Sequence, residues 1–281
     1  MEMDKFVEDI KMNTLTFGFI GTGNMGGALA KAAAKAAYPV HMYLADFNAE
    51  KSLALAREIG GIPSTNQDIA RKCQYIFLGV KPQIMADMLF EIAPFLLERA
   101  DEFVLVSMAA GITIRDIQTM AGGKYPVIRI MPNTPVSVGE GMILYTVSEE
   151  VTPDMVKTFQ EKMQCAGVLD LLPEQYIDAG CAVSGCGPAF VYMFIEALAD
   201  GGVECGLPRD KALLYAAQTL YGASKLVLES KKHPGELKDA VCSPGGTTIA
   251  GVHALETGGF RNCAMNAVCK AHQKTKELGK K

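Results

Sequence analysis

The chain has 281 residues, 49% of them hydrophobic and 21% charged, with a formal net charge of −4. That balance supplies a core and excludes a disordered chain, and the lack of any basic stretch interleaved with aromatics excludes a nucleic-acid partner. The length fits two ordinary domains of roughly 150 residues each.

Met1 to Asn13 carries Glu2, Asp4, Glu8 and Asp9 around no apolar core, so residues 1–13 read as an N-terminal extension and not a secretory signal. In residues 14–173, strand-length apolar runs at Thr16–Ile20, Val40–Ala45, Tyr75–Val80, Phe103–Ser107 and Val127–Met131 alternate with helical segments. The clearest of those segments are Asn24–Ala37, Ala49–Glu58 and Pro82–Leu97. The alternation predicts an α/β fold whose N-terminal domain is a Rossmann-type doubly wound parallel sheet. Met142–Val147 and Gly167–Leu172 flank a helix that starts near Pro153, and both extend the sheet.

After Pro173 the strand signal stops, and residues 174–281 predict an all-helical C-terminal domain punctuated by Gly202, Gly206-Leu-Pro208, His233-Pro-Gly235 and Ser243-Pro-Gly-Gly246. Phe190–Leu198 and Ala212–Leu220 are apolar on more than one face, more than a surface helix shows, and burial against a second subunit explains them. No uninterrupted apolar run reaches the roughly 18 residues of a membrane span, so no membrane partner is expected. The 8 cysteines form no Cys-x-x-Cys pair and no zinc spacing with histidine, which predicts reduced thiols, no metal and a cytoplasmic protein.

The loop Gly21-Thr22-Gly23-Asn24-Met25-Gly26 follows the first strand and opens an alanine-rich helix. That context fits a dinucleotide loop: Gly21 for the tight turn, Gly23 for close approach to a pyrophosphate, Gly26 for helix packing, and the helix N-terminus for the phosphates. Asp46 ends the second strand, where a carboxylate accepts hydrogen bonds from ribose hydroxyls and meets a 2′-phosphate with like charge. That tilts the cofactor towards NADH over NADPH, the other reading of Asp46 being an ordinary turn aspartate. Ligands of open parallel sheets sit beyond the carboxyl ends of the strands. The residues there are Gly79-Val80-Lys81-Pro82, Ser107-Met108-Ala109-Ala110-Gly111 and Met131-Pro132-Asn133-Thr134-Pro135. Lys81 is also readable as a solvated loop lysine.

In the helical part, Ser184-Gly185-Cys186-Gly187-Pro188 and Cys242-Ser243-Pro244-Gly245-Gly246-Thr247-Thr248 both precede helices. The second exposes backbone N–H groups at a positive helix end, a carboxylate site or, more plainly, a helix cap. Of the four histidines, His253, five residues after Thr248, is the one placed for proton donation, but a helix-surface or packing role accounts for it better.

These motifs, together with Ala199-Asp-Gly-Gly202, His233-Pro-Gly-Glu-Leu-Lys-Asp239 and Gly259-Phe-Arg261, span nearly all the chain after the extension. The sequence resembles the pyrroline-5-carboxylate reductase family. The resemblance implies reduction of the C=N bond of 1-pyrroline-5-carboxylate to L-proline by NADPH or NADH, in a homodimer that often assembles further. It implies that Gly21 to Met25, Asn66, Val80, Lys81, Pro82, Ala109 and Ala110 line the cofactor. It gives the substrate to Ser243, Gly245, Gly246, Thr247 and Thr248, with the Thr248 hydroxyl at the ring nitrogen as the catalytic group. Departures from the family pattern are Cys186 for a common serine, Ala240 where some members have asparagine, and Asp46 where many have Ser, Thr or Arg suited to the 2′-phosphate of NADPH. The rival readings are a similar reductase acting on another imine or a β-hydroxyacid, and a dinucleotide-binding protein without turnover.

Overall fold

Residues 15–36 and 40–278 are described in a computed structural model of the chain; the extension Met1 to Asn13, and Ala37 at the expected end of the first helix, lie outside them. The alternation of apolar runs becomes β1 (Leu15–Ile20), α1 (Asn24–Ala36), β2 (Val40–Ala45), α2 (Ala49–Ile59), β3 (Ile62–Pro63), α3 (Asn66–Lys72) and β4 (Tyr75–Leu78). It continues with α4 (Met85–Leu97), β5 (Val104–Ser107), α5 (Ile114–Ala121), β6 (Val127–Met131), β7 (Gly141–Val147), α6 (Pro153–Met163) and β8 (Gly167–Leu171).

The strands form one sheet in the order β3-β2-β1-β4-β5-β6-β7-β8. The first six are parallel in the dinucleotide-fold order, which reverses between β1 and β4. The parallel direction ends at β7, which pairs antiparallel with β6. Residues 132–140 between them hold only one 3-10 turn, Thr134–Val138, too short for the crossover that a parallel pair needs.

Continuous apolar runs suit β1 and β4 to β6 because both faces are covered. Phe17, Phe19 and Phe77 enter one core with Leu29, Ala33 and Phe159. Ile76, Leu78 and Leu105 enter the other with Ile69, Leu89 and Ile117. A Cβ at Gly18 would lie 2.3 Å from Ile69 Cγ2 and 2.8 Å from Cys73 Sγ, so glycine there lets α3 close onto β1.

By packing, the chain divides into two compact units: one runs to Gly185 and includes the chain from His272, and the other is Cys186–Ala271. The helix after Pro173, α7 (Glu174–Ser184), belongs to the sheet unit. Arg129 on β6, its side chain 2% exposed, pairs through Nη1 with Glu174 Oε1 at 3.2 Å and through Nη2 with Asp178 Oδ1 at 2.9 Å. Glu174 Oε1 also accepts from the Ile114 amide at 2.8 Å, which satisfies a first-turn donor of α5.

From Glu174 onward every regular element among the described residues is helical, continuing with α8 (Gly187–Glu204), α9 (Arg209–Ser230), α10 (Pro234–Ala240), α11 (Thr247–Thr257) and α12 (Phe260–Leu278). Within the second unit, Ala199, Ala212 and Ala216 form a small buried cluster between α8 and α9. Large apolar side chains on the same two helices stay exposed, among them Met193 at 69% and Leu228 at 75%. Taken together, Glu174–Glu204 is long and apolar enough by averaged hydropathy to cross a membrane, although charged residues interrupt it and only 11% of its most apolar window is buried.

Candidate functional site

The site is built at the carboxyl ends of the parallel strands, where β1 hands over to the glycine loop. Gly21 has φ +95°, and a Cβ on it would sit 2.6 Å from Gly79 O. A Cβ on Gly79 would sit 2.5 Å from Gly21 O, and one on Gly26 only 2.1 Å from the same oxygen. Two loops thus touch backbone to backbone at the point where the strand order reverses, and α1 packs back on its own loop; only glycine permits either. Nothing lies within 4 Å of a Cβ position on Gly23.

The first helical bond of α1 runs from the Gly27 amide to Gly23 O, at 2.8 Å. The amides of Asn24, Met25 and Gly26 therefore precede the ladder, at the positive end of a 13-residue helix. An open cavity of about 480 Å³ lies alongside, lined by Thr22, Gly23, Asn24 and Lys51 among others. Free donors, a bare glycine and adjoining space fit the pyrophosphate of a dinucleotide.

Asp46, just past β2, is engaged with that loop. Its Oδ2 accepts from the Thr22 amide at 2.7 Å and from the Thr22 hydroxyl at 3.1 Å, while Oδ1 accepts from the Asn48 amide at 2.9 Å. Phe47, next in sequence and not singled out by its motif, is fully exposed at 109%.

Val80, exposed Lys81 and exposed Pro82 follow β4, and Lys81 enters the 3-10 turn Pro82–Ile84 with extended backbone, φ −64° and ψ 148°. Buried Ala109 and exposed Ala110 follow β5, the Ala109 amide 3.5 Å from Ser107 Oγ. Asn66 opens α3 beyond the end of β3, and its amide donates to Glu91 Oε2 at 3.0 Å, beside Gln67 on Glu91 Oε1 at 2.7 Å. Every expected cofactor residue therefore lies on the same edge of the sheet.

The expected substrate loop lies in the second unit. Gly245 turns with φ +67°, the Gly246 amide donates to Ser243 O at 3.0 Å, and extended Gly246 (φ −79°, ψ 171°) caps α11 without a side-chain bond. A Cβ on Gly246 would meet Ser243 Oγ at 2.3 Å and Ser243 O at 3.1 Å, so a side chain there would displace the Ser243 hydroxyl. The first bond of the ladder is Ala250 to Gly246 O, 3.4 Å, which leaves the amides of Thr247, Thr248 and Ile249 pointing out of the helix start. Ser243, Pro244, Gly245, Thr247 and Thr248 are all exposed. His253 is exposed on the same helix, its carbonyl accepting from the Thr257 hydroxyl at 2.9 Å.

Residues 16–111 match the family model for NADP oxidoreductase, coenzyme F420-dependent, and residues 174–278 match that for pyrroline-5-carboxylate reductase dimerisation. The pyrroline-5-carboxylate reductase of Pisum sativum is 41% identical over 271 residues, covering 96% of this chain and 98% of that one. That of Escherichia coli is 40% identical over 266 residues, covering 94% and 98%. The crystal structure of the Plasmodium falciparum pyrroline carboxylate reductase with NADP bound superposes with a TM-score of 0.82 at 34% identity, covering 94% of this chain and 98% of that one. Identity of that level along nearly the whole length, on the fold and glycine geometry described above, makes the chain a member of the pyrroline-5-carboxylate reductase family.

Proposed function

We propose that the protein reduces 1-pyrroline-5-carboxylate to L-proline, the last step of proline biosynthesis, with a nicotinamide dinucleotide as electron donor. The observation that carries this reading is the Ser243–Thr248 loop, whose outward amides at Thr247, Thr248 and Ile249 form a carboxylate cradle on the positive end of α11.

When bound, the dinucleotide supplies a hydride to the C=N carbon. The chain's own residues hold and orient. The α1 amides and the Gly21–Gly26 loop take the pyrophosphate, and Val80–Pro82, Ala109 and Ala110 line the nicotinamide side with Asn66 nearby. The loop amides would hold the substrate carboxylate, and the Thr248 hydroxyl would donate to the ring nitrogen and relay to it a proton from solvent water as the carbon gains the hydride. An imine, above all when protonated, is already a hydride acceptor, so orientation replaces a strong acid.

Asp46 directs the choice of donor towards NADH, because its carboxylate stands beside the loop with no arginine in Asp46-Phe47-Asn48 to offset it. The exposed Phe47 ring gives the adenine an apolar face. Residues 14–173 serve as the dinucleotide domain and 174–281 as the substrate and dimerisation domain. The exposed apolar faces of α8 and α9 are covered by a second copy of the chain and not by lipid, in a cytoplasmic homo-oligomer. Steady-state oxidation of NADH and of NADPH with pyrroline-5-carboxylate tests the reading; no turnover with either donor overturns it.

A further inference from the structure

The chain leaves the sheet unit through a helix that breaks without changing conformation. α7 ends at Ser184, yet Gly185 (φ −73°, ψ −45°) and Cys186 (φ −85°, ψ −27°) stay right-handed helical before α8 begins at Gly187. A continuous helix would bond the Ser184 carbonyl to the amide of residue 188. Residue 188 is Pro188, which has no N–H.

The missing donor comes from another loop. Asn133, between β6 and β7 and 9% exposed, donates through Nδ2 to Ser184 O at 3.0 Å. Its Oδ1 accepts from the Met142 amide at 2.9 Å, which settles the orientation of the side-chain amide. One buried carboxamide thus ties the start of β7 to the carbonyl that Pro188 orphans, within the first compact unit and one residue before its run ends at Gly185.

We infer that Asn133 is a positioning residue for hydride transfer: its carboxamide replaces the helical donor that Pro188 lacks, and so holds the backbone at Ser184, from which the chain continues to the substrate loop. The inference rests on the proposed function for its kinetic consequence, but not for the hydrogen bond it invokes. Asn133→Asp is the sharp probe, because it keeps an acceptor for the Met142 amide and turns an acceptor towards Ser184 O, where a donor is needed.

The test compares wild type, Asn133→Asp, Asn133→Ala and the double variant Asn133→Ala/Pro188→Ala by amide exchange, thermal melting, cofactor titration and turnover. Asn133→Asp speeds amide exchange at Gly185 to Ala189 and lowers kcat by about tenfold or more, since small misplacements are costly in hydride geometry. It leaves cofactor affinity and oligomer size unchanged. In the double variant, residue 188 regains an N–H for Ser184 O, so part of the Tm and part of the kcat lost in Asn133→Ala return.

Unchanged exchange at Gly185 to Ala189 in Asn133→Asp overturns the inference, whatever the activity. So does a double variant that regains neither Tm nor kcat over Asn133→Ala, for then the Ser184 carbonyl is not what Asn133 holds. A wild-type protein that turns over with neither donor defeats the proposed function instead, and the exchange data still decide whether Asn133 holds the break.

Discussion

One oxygen of Asp46 accepts both the amide and the hydroxyl of Thr22, at 2.7 and 3.1 Å, so the residue that ends β2 also braces the glycine loop. Brace and charge are separable. Asp46→Asn keeps an acceptor for the Thr22 amide and removes the charge that a 2′-phosphate would meet. The ratio of kcat/KM for NADH over NADPH is expected to fall by about tenfold, roughly 1.4 kcal/mol, mostly through better use of NADPH. Asp46→Ala, which removes the brace too, weakens both donors. An unchanged ratio in Asp46→Asn would take Asp46 out of donor choice and leave it the brace alone.

Phe47 stands beside that carboxylate with its ring in solvent. Stacking of a base on an aromatic ring contributes about 1–3 kcal/mol. Phe47→Ala is therefore expected to weaken NADH and NADPH by about tenfold each, in equal measure, read as Kd by fluorescence titration. A changed preference, or no loss, would show that the adenine lies elsewhere.

Thr248 is the second residue of α11, exposed, beside amides that precede the helical ladder. Thr248→Ala should lower kcat/KM by about tenfold or more, and Thr248→Ser should restore most of it, because the hydroxyl and not the methyl meets the ring nitrogen. Wild-type kinetics in Thr248→Ala would remove the hydroxyl from the mechanism.

The sheet was legible because β1 and β4 to β6 are buried on both faces and write nearly continuous apolar runs. The elements that sequence reading passed over lack that signal. β3 is two exposed residues, and α3 has seven residues of which only Ile69 and Ala70 are buried. The eight residues of α5 declare themselves by their Thr113–Asp116 capping box more than by hydrophobicity. At the site, Gly21 and Gly26 could be read because their reason is steric and local. The bond from Thr22 to Asp46 spans 24 positions and that from Asn133 to Ser184 spans 51, and no spacing rule reaches across either.

Arg129 is the largest buried charge and its partners are unequal to it. Its side chain is 2% exposed, while Glu174 and Asp178 are 35% and 29% exposed and partly hydrated. Removing both acids strands a buried cation, whereas removing the arginine lets two carboxylates rehydrate. Glu174→Gln/Asp178→Asn is expected to destabilise by about 3 kcal/mol, and Arg129→Met by clearly less, in urea unfolding at constant m. Equal losses would mean that packing of the arginine stem, not its charge, holds α7 to the sheet.

Cys73 sets an alkaline limit on stability. Burial pushes its thiol from an ordinary 9.0 up to about 12, with Arg99 and Lys72 opposing the shift. Burial likewise pushes Tyr75 from 10.0 up to about 12, and its hydroxyl donates to Met155 O at 2.8 Å. In both cases the folded state favours the protonated form. The stability that Cys73 contributes is therefore fully present below its unfolded value of 9.0 and is lost as pH rises from there to about 12, with Tyr75 adding to the loss above 10.0. Tm should hold steady up to pH 9 and then decline. Cys73→Ala, although less stable at neutral pH because Cys73 fills the space beside Gly18, should decline less steeply between pH 9 and 10, before tyrosine ionisation begins. Parallel Tm curves for the two proteins across that interval would assign the alkaline loss to other groups.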